Sequence, residues 1–166
     1  MDRNEFTEKV LEAEGTLYRV AMSILKNDED CADAVQEAIL LAYGKLHTLR
    51  EERYFKTWLC RILIRVCHRM ARERKRLVRL EEYMEAAPAE ETRCPDLYTA
   101  IMELDADLRL VVTLHYVEGF KTAEIARMLG VPEGTVKSRL SRARRALKSV
   151  LRSEEHTSEL QSLTNL

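Results

Sequence analysis

Glycine and proline are scarce in this chain, five and three residues of 166, and only 6% of positions are aromatic. Strand-rich folds need those residues at their corners and on their pleated faces, so a β-sandwich or a collagen-like chain is excluded. Long apolar runs are missing as well, and none approaches the roughly 20 residues that span a bilayer. Met1–Glu5 has neither the basic nor the apolar zone of a signal peptide. A soluble, cytoplasmic protein is expected.

Cysteine is present but unpatterned. Cys31, Cys60, Cys67 and Cys94 form no C-x-x-C pair, which argues against a disulfide framework or a zinc ribbon. Cys67-His68, the one adjacent soft pair, reads as a small core residue beside a surface histidine. His47, His68, His115 and His156 are scattered and no glycine-rich phosphate loop occurs, so no catalytic constellation, cofactor, metal or small-molecule substrate is expected.

What the chain has in quantity is Leu, Ala, Arg and Glu, the residues of helices. Its formal net charge of -1 conceals strong segregation. Residues 1–52 carry twelve acids and six bases; Arg61–Arg79 carries eight bases against Glu73 alone. Glu81–Asp96 then holds six acids and Arg93, and Lys121–Lys148 holds eight bases with Glu124 and Glu133. Local field rather than the chain average attracts phosphate, so two basic blocks split by an acidic one point to two surfaces for a polyanion.

Apolar spacing divides the chain into two small cores. Phe6, Val10, Leu17, Val20, Ala21, Ile24 and Leu25 mark a first helix, which Asn27-Asp28 breaks, leaving Asp28 or Asp30 to cap the next. Ala34, Val35, Ala38, Ile39, Leu41, Ala42 and Leu46 mark a second helix ending near His47. After the loop Thr48–Arg53 a third starts near Tyr54, with Trp58, Leu59, Ile62, Leu63, Val66 and Met70 inward. Pro88 and Pro95 then interrupt the helical pattern. Beyond them Leu104, Leu108, Val111, Val112 and Leu114 predict one helix, and Thr122–Leu129 and Pro132–Val150 two more, turning at Gly130-Val131. The expected fold is all-α: a helical domain at 1–79, a flexible acidic linker at 80–96, and a second helical domain at 97–151. Arg152–Ser162 (RSEEHTSELQS), continued by Leu163–Leu166, is similar to the translation of a sequencing adapter and has no helical periodicity after Leu151. We therefore set 152–166 aside as an artefactual tail without expected structure.

Two constellations carry function. FKTAEIARMLGVPEGTVKSRLSRARRAL has helix-turn-helix spacing: Ile125 and Ala126 on the first helix, Gly130 in the turn, Val136 and Leu140 on the second. That leaves Lys121, Thr135, Lys137, Ser138, Arg139, Arg142 and Arg145 for phosphates and base edges. In WLCRILIRVCHRMARERKR the bases Arg61, Arg65, Arg69, Arg72 and Arg76 recur every three or four residues on one helical face. Beside them stand Tyr54, Phe55 and Trp58 and the loop Leu49–Arg53, with Arg50 and Arg53. A cationic track beside aromatic rings suits single-stranded DNA, with charge following the backbone and rings holding unstacked bases. Trp58 is expected in the core; Tyr54 fits either role.

The segments LYRVAMSILKNDEDCADAVQEAILLAYGKL, FKTWLCRILIRV and GFKTAEIARMLGVPEGTVKSRLSRARRAL, in that order, make residues 5–79 and 97–151 resemble an extracytoplasmic-function (ECF) sigma factor of bacterial RNA polymerase with sigma regions two and four. The resemblance implies that region two docks on the β′ clamp helices of core polymerase through Asp33, Gln36 and Glu37. It further implies melting of the minus-ten element by Arg50, Arg53, Tyr54, Arg61, Arg65 and Arg69. Region four, which would meet the β flap, is implied to bind the minus-thirty-five duplex through Lys121, Thr135, Lys137, Ser138, Arg139, Arg142 and Arg145. Partners so implied are core polymerase, promoter DNA and an anti-sigma factor. Two departures bear on the minus-ten sequence: the loop reads LREER where relatives carry glycine and small polar residues, and Arg65 stands where asparagine is frequent. From residues alone, a duplex-binding regulator that works without polymerase and a helical protein-binding adaptor remain open.

Overall fold

In the computed structural model the backbone is described for residues 1–81 and 96–164. Asp2 begins the first helix: its carboxylate accepts the N–H groups of Asn4 and Glu5 at 2.8 and 2.9 Å, and Glu5 accepts the Asp2 N–H in return. The helix, α1, runs Arg3–Leu25 and ends at Lys26, whose left-handed backbone (φ 56°) closes the last turn on Met22. The second helix, α2, spans Asp28–Gly44. Its cap is Asn27, which accepts the Asp30 N–H at 2.9 Å, rather than Asp28 or Asp30. Those acids instead occupy the first turn, where the helix dipole favours negative charge. Two short 3-10 turns, Leu46–Thr48 and Glu52–Tyr54, lead into α3, Phe55–Glu81.

Ala34, Ala38 and Ala42, all fully buried at steps of four, let α2 approach α1 and α3 closely. Leu17, Val20, Leu59 and Leu63 fill the space between, each contributing about 1.5–3 kcal/mol by burial. The Phe6 ring meets Phe55 edge-on at 5.7 Å, and Phe55 touches Trp58 at 5.9 Å. Trp58 is half-buried at the rim of the core rather than inside it, its indole N–H donating to the Thr48 hydroxyl at 3.3 Å. Burial pushes the thiols of Cys60 and Cys67 up to about 12, and Cys31 is buried and likewise raised. All three behave as small apolar residues.

The second module opens with α4, Leu97–Glu103, a helix that apolar spacing did not indicate. Asp96 creates it by accepting both the N–H and the hydroxyl of Thr99 at 2.8 and 2.9 Å. Leu104 therefore ends one helix instead of starting another. α5, Ala106–Val112, continues into a single π turn at Thr113–Val117. α6 spans Thr122–Leu129 and stops at Gly130, which has the expected left-handed conformation (φ 68°) with the Val131 N–H returning to the Ala126 carbonyl at 3.1 Å. α7 starts at Glu133 and runs through Thr164. The expectation that order ends at Leu151 is thus corrected. No Gly or Pro lies beyond Gly134, and a helix already nucleated on a packed core extends at little cost through Glu, Leu, Gln and Ser. The expected linker falls chiefly on residues 82–95, which lie outside the described residues; Leu80 and Glu81 belong to α3, and Asp96 is the cap of α4.

Apolar spacing predicts two cores, whereas in the structure they meet. α1 packs on α5 and on the π turn, and α3 packs on α6, so one buried apolar cluster extends from Phe6 to Ala143.

Candidate nucleic-acid interface

Packing of α7 decides which of its side chains are free. Val136, Leu140 and Ala143 are buried against α5 and α6, at the i, i+4, i+7 spacing of one face. Directly opposite stand Ser138, Arg142 and Arg145, all exposed or partly so, with Thr135 half-buried beside them. The Ser138 hydroxyl donates back to the Thr135 carbonyl at 3.0 Å. Lys137 and Arg139 flank this face and are engaged within the protein. The Lys137 ammonium lies 3.4 Å from Glu133, and the Arg139 guanidinium, 21% exposed, lies 3.6 Å from Asp107 on α5. Glu133 also accepts the Thr122 hydroxyl at 2.7 Å, which ties the first turn of α7 to that of α6. These hydrogen bonds hold the Glu133 carboxyl below its ordinary pKa. Lys121, exposed just before α6, has its N–H held by Glu124 at 2.9 Å.

On the first module Arg61 and Arg65 are exposed along α3. Arg69, next on the track, is turned toward α2, where one terminal nitrogen bonds both Glu37 oxygens at 2.6 Å. Two residues assigned by the resemblance to different partners are therefore paired with each other. Arg74 makes a similar bridge to Asp30 at 2.7 Å. Arg53 pairs with Glu51 at 2.7 Å and stacks on the Tyr54 ring, 4.8 Å from its centroid. Tyr54 is 39% exposed beneath that guanidinium. Arg50 is exposed in the loop. Asp33 projects from α2 into solvent, and Glu37 is bound to Arg69. Gln36 lines a cavity of about 600 Å³ between α1 and α2, together with Tyr18, Arg19, Val35 and Ile39.

Sequence reading missed a set of residues at the boundary between the modules. The Glu118 side chain, 2% exposed at the end of the π turn, accepts from the Thr16 hydroxyl at 2.7 Å and from Arg19 Nε at 2.5 Å, both on α1. Burial raises its pKa, but the bonds from Arg19 and Thr16 outweigh burial and leave it below the ordinary value. Arg109, buried on α5, donates to the Ser23 carbonyl of α1 at 2.5 Å and to the Leu104 carbonyl at 2.8 Å. Lys56 of α3 lies over the Phe120 ring at 5.5 Å. The available signal was a lone charge inside an apolar run: Arg109 in LRLVV and Glu118 in YVEGF.

Comparison with known proteins matches residues 10–77 to Sigma-70 region 2 and residues 95–147 to Sigma-70, region 4. The chain is 31% identical over 142 residues to the RNA polymerase sigma factor SigV of Bacillus subtilis, covering 83% of this chain and 86% of that one. It is 33% identical over 154 residues to the ECF RNA polymerase sigma factor SigM of Mycobacterium tuberculosis, covering 90% and 79%. Among solved structures, the sigma factor RpoE of Bartonella quintana, in complex with the anti-sigma factor NepR, aligns with a TM-score of 0.75 and 27% identity over 89% of this chain and 97% of that one. CnrH, in complex with the cytosolic domain of CnrY, shares the fold with a TM-score of 0.68 at 24% identity, covering 92% and 90%.

Proposed function

Because the chain belongs to the ECF sigma factors of bacterial RNA polymerase and so directs core polymerase to promoters, we propose that its two modules divide that task between duplex and single strand. Residues 97–151 grip the minus-thirty-five duplex with the outward face of α7, Thr135, Ser138, Arg142 and Arg145, and with Lys121. Arg139 and Lys137 shape the flanks of that face through Asp107 and Glu133. Residues 1–79 dock on the β′ clamp helices through Asp33 and Gln36, with Glu37 holding α2 to α3. Arg50, Arg53, Tyr54, Arg61 and Arg65 receive the non-template strand as it melts. Unstacking a base costs a few kcal/mol, and ring stacking returns about 1–3 kcal/mol per base, so one or two captured bases suffice. Arg65 in place of an amide favours backbone contact over base reading at that point.

The observation that carries this division is the difference in surface. The open face of α7 presents Arg142 and Arg145 with no aromatic residue of its own helix, as duplex phosphates and base edges require, whereas exposed Arg61 and Arg65 lie on α3, the helix that directly follows the Arg53–Tyr54 stack. Sigma factors are non-enzymatic initiation factors, and we read this chain as making and breaking no bond itself. No helix among the described residues is long and apolar enough to cross a membrane, and action beside polymerase in the cytoplasm is part of the same reading. By likeness to RpoE, which binds NepR, an anti-sigma factor is the expected inhibitor.

Run-off transcription with core enzyme on a promoter library tests the reading. Initiation at a discrete promoter class is expected, and its absence on every template would end it. Asp33→Ala with Gln36→Ala should abolish co-purification with core while leaving retention on minus-thirty-five duplex intact; unchanged co-purification removes both residues from the docking surface.

A further inference from the structure

The open surface of α7 is cationic, yet the helix begins with an acid. Glu133 is its first residue, and the side chain is 44% exposed. Pro132 precedes it and Gly134 follows, so between Val131 and Thr135 Glu133 has the sole polar side chain. A helix N-terminus attracts phosphate through its dipole and free N–H groups, and a carboxylate placed there repels it. What a carboxylate accepts instead is a hydrogen-bond donor. In the major groove the donor that Glu takes is the N4 amine of cytosine.

The carboxylate is held in place by both helices of the turn. Its Oε1 accepts the hydroxyl of Thr122, the first residue of α6, at 2.7 Å, and the same oxygen lies 3.4 Å from the Lys137 ammonium. No hydrogen bond among the described residues engages Oε2. The bonds to Oε1 hold the carboxyl below its ordinary pKa, so it stays ionised and can only accept. Space is available beside it, because a Cβ built on Gly134 would meet nothing within 4 Å. A recognition helix meets base edges with its N-terminal residues, and those are the residues on which this carboxylate stands.

We propose that Glu133 is a specificity-determining residue of the helix-turn-helix, its Oε2 accepting from the N4 amine of one cytosine in the duplex element, with Thr122 as the residue that positions it. Lys137, drawn to Oε1, offsets part of the charge that would otherwise repel the neighbouring phosphates. The assignment rests on the reading of residues 97–151 as the duplex-binding module.

The test is selection of duplexes by the full chain bound to core polymerase, from a pool randomised across the minus-thirty-five element. The wild-type chain should favour cytosine about tenfold at one position. Glu133→Gln keeps an acceptor for Thr122 and adds a donor, so the preference at that position should pass to adenine, whose N6 and N7 an amide pairs with. Thr122→Val leaves Glu133 in place but unanchored, and should keep cytosine first while reducing the preference several-fold. A carboxylate that only clamped α6 to α7 would alter the thermal midpoint seen by circular dichroism and leave base preference as it was. Unchanged preference in Glu133→Gln, or an equal loss of discrimination at every position, therefore overturns the proposal. Enrichment of duplexes by the wild type with no cytosine that responds to Glu133 sinks the assignment and leaves the duplex reading standing. If the wild type enriches no duplex at all, both fall.

Discussion

The two modules solve the same problem, displaying cations from a small helical core, in opposite ways. The first has long helices, an aromatic seam from Phe6 through Phe55 to Trp58, and basic residues partly neutralised within the module, Arg69 by Glu37 and Arg74 by Asp30. The second has shorter helices before α7, an aliphatic core around Leu114, Ile125 and Val136, and an open cationic face centred on Arg142. It also places a buried Arg109 at its boundary, satisfied in part by the Ser23 carbonyl of the other module. The second module thus satisfies a buried cation through its neighbour, while the first satisfies its buried Thr16 hydroxyl and Arg19 through Glu118 of the second. A unit of about 55 residues is near the lower limit for independent stability, and its dependence has a physical basis in that limit.

The sharpest way to break this comparison is to damage each core in turn. Leu59→Ala and Leu114→Ala each remove a fully buried side chain and should cost about 2–5 kcal/mol. Trp58 is the only tryptophan, so its fluorescence reports the first module alone. Leu114→Ala should destabilise helices seen by circular dichroism while the Trp58 transition holds its midpoint. Leu59→Ala should lower both. Equal effects on both signals from Leu114→Ala as well would show that neither module leads.

A smaller effect separates the two nucleic-acid faces. Arg142→Ala should weaken binding to minus-thirty-five duplex by about 1–3 kcal/mol if it reads guanine, or lower the salt slope by about one if it meets phosphate. Arg61→Ala should leave that duplex affinity unchanged and instead reduce strand opening, followed by permanganate reactivity of unpaired thymines. Comparable duplex losses from the two variants would erase the assignment of one strand state to each module.

Next in size is the cap that begins α2. Asn27→Ala removes the acceptor of the Asp30 N–H and should cost about 1 kcal/mol. Replacing Asp28 should cost less, because it supports the dipole without closing the cap; a larger loss at Asp28 by chemical denaturation would reverse their roles. The smallest expected effect lies on the α3 track. Arg69→Ala breaks an exposed, solvent-screened pair with Glu37 and should leave the unfolding midpoint almost unchanged. Against single-stranded DNA it should matter less than Arg65→Ala, since Arg69 already has an anionic partner. Equal losses from both in a fluorescence anisotropy titration would show that Glu37 yields Arg69 to the nucleic acid.

Much of this organisation is legible in the order of residues. Apolar residues at helical spacing mark α1, α2, α3 and α6, because burying a stripe is what stabilises each. Gly130 signals its turn because a left-handed residue is cheapest without a Cβ. The outward face of α7 follows from Val136 and Leu140, since fixing the buried face fixes the opposite one. Other features are hidden for identifiable reasons. α4 depends on the Asp96–Thr99 cap rather than on a stripe. Continuation of α7 beyond Leu151 depends on propagation from a packed start. Arg139 and Arg69 read as free cations because the acids that hold them, Asp107 and Glu37, can be recognised as partners only after packing sets their distances, whereas Glu133 and Lys137, four residues apart on one helix, are a pair that spacing alone offers. The boundary between modules is hidden most completely, because it joins Thr16, Arg19 and Ser23 to charged residues, and a search for apolar periodicity passes over polar contacts.

The order of residues by itself determined that this protein is helical, that it carries two cationic units, and which family its motifs resemble, because periodicity, turn chemistry and local charge act over a few residues. Only the tertiary structure decided which cations stay free and that Glu118 and Arg109 bind the units together. An ion pair or a buried guanidinium is stabilised by whatever stands within a few ångströms of it, and the Glu37–Arg69, Ser23–Arg109 and Arg19–Glu118 partners lie 32, 86 and 99 residues apart along the chain.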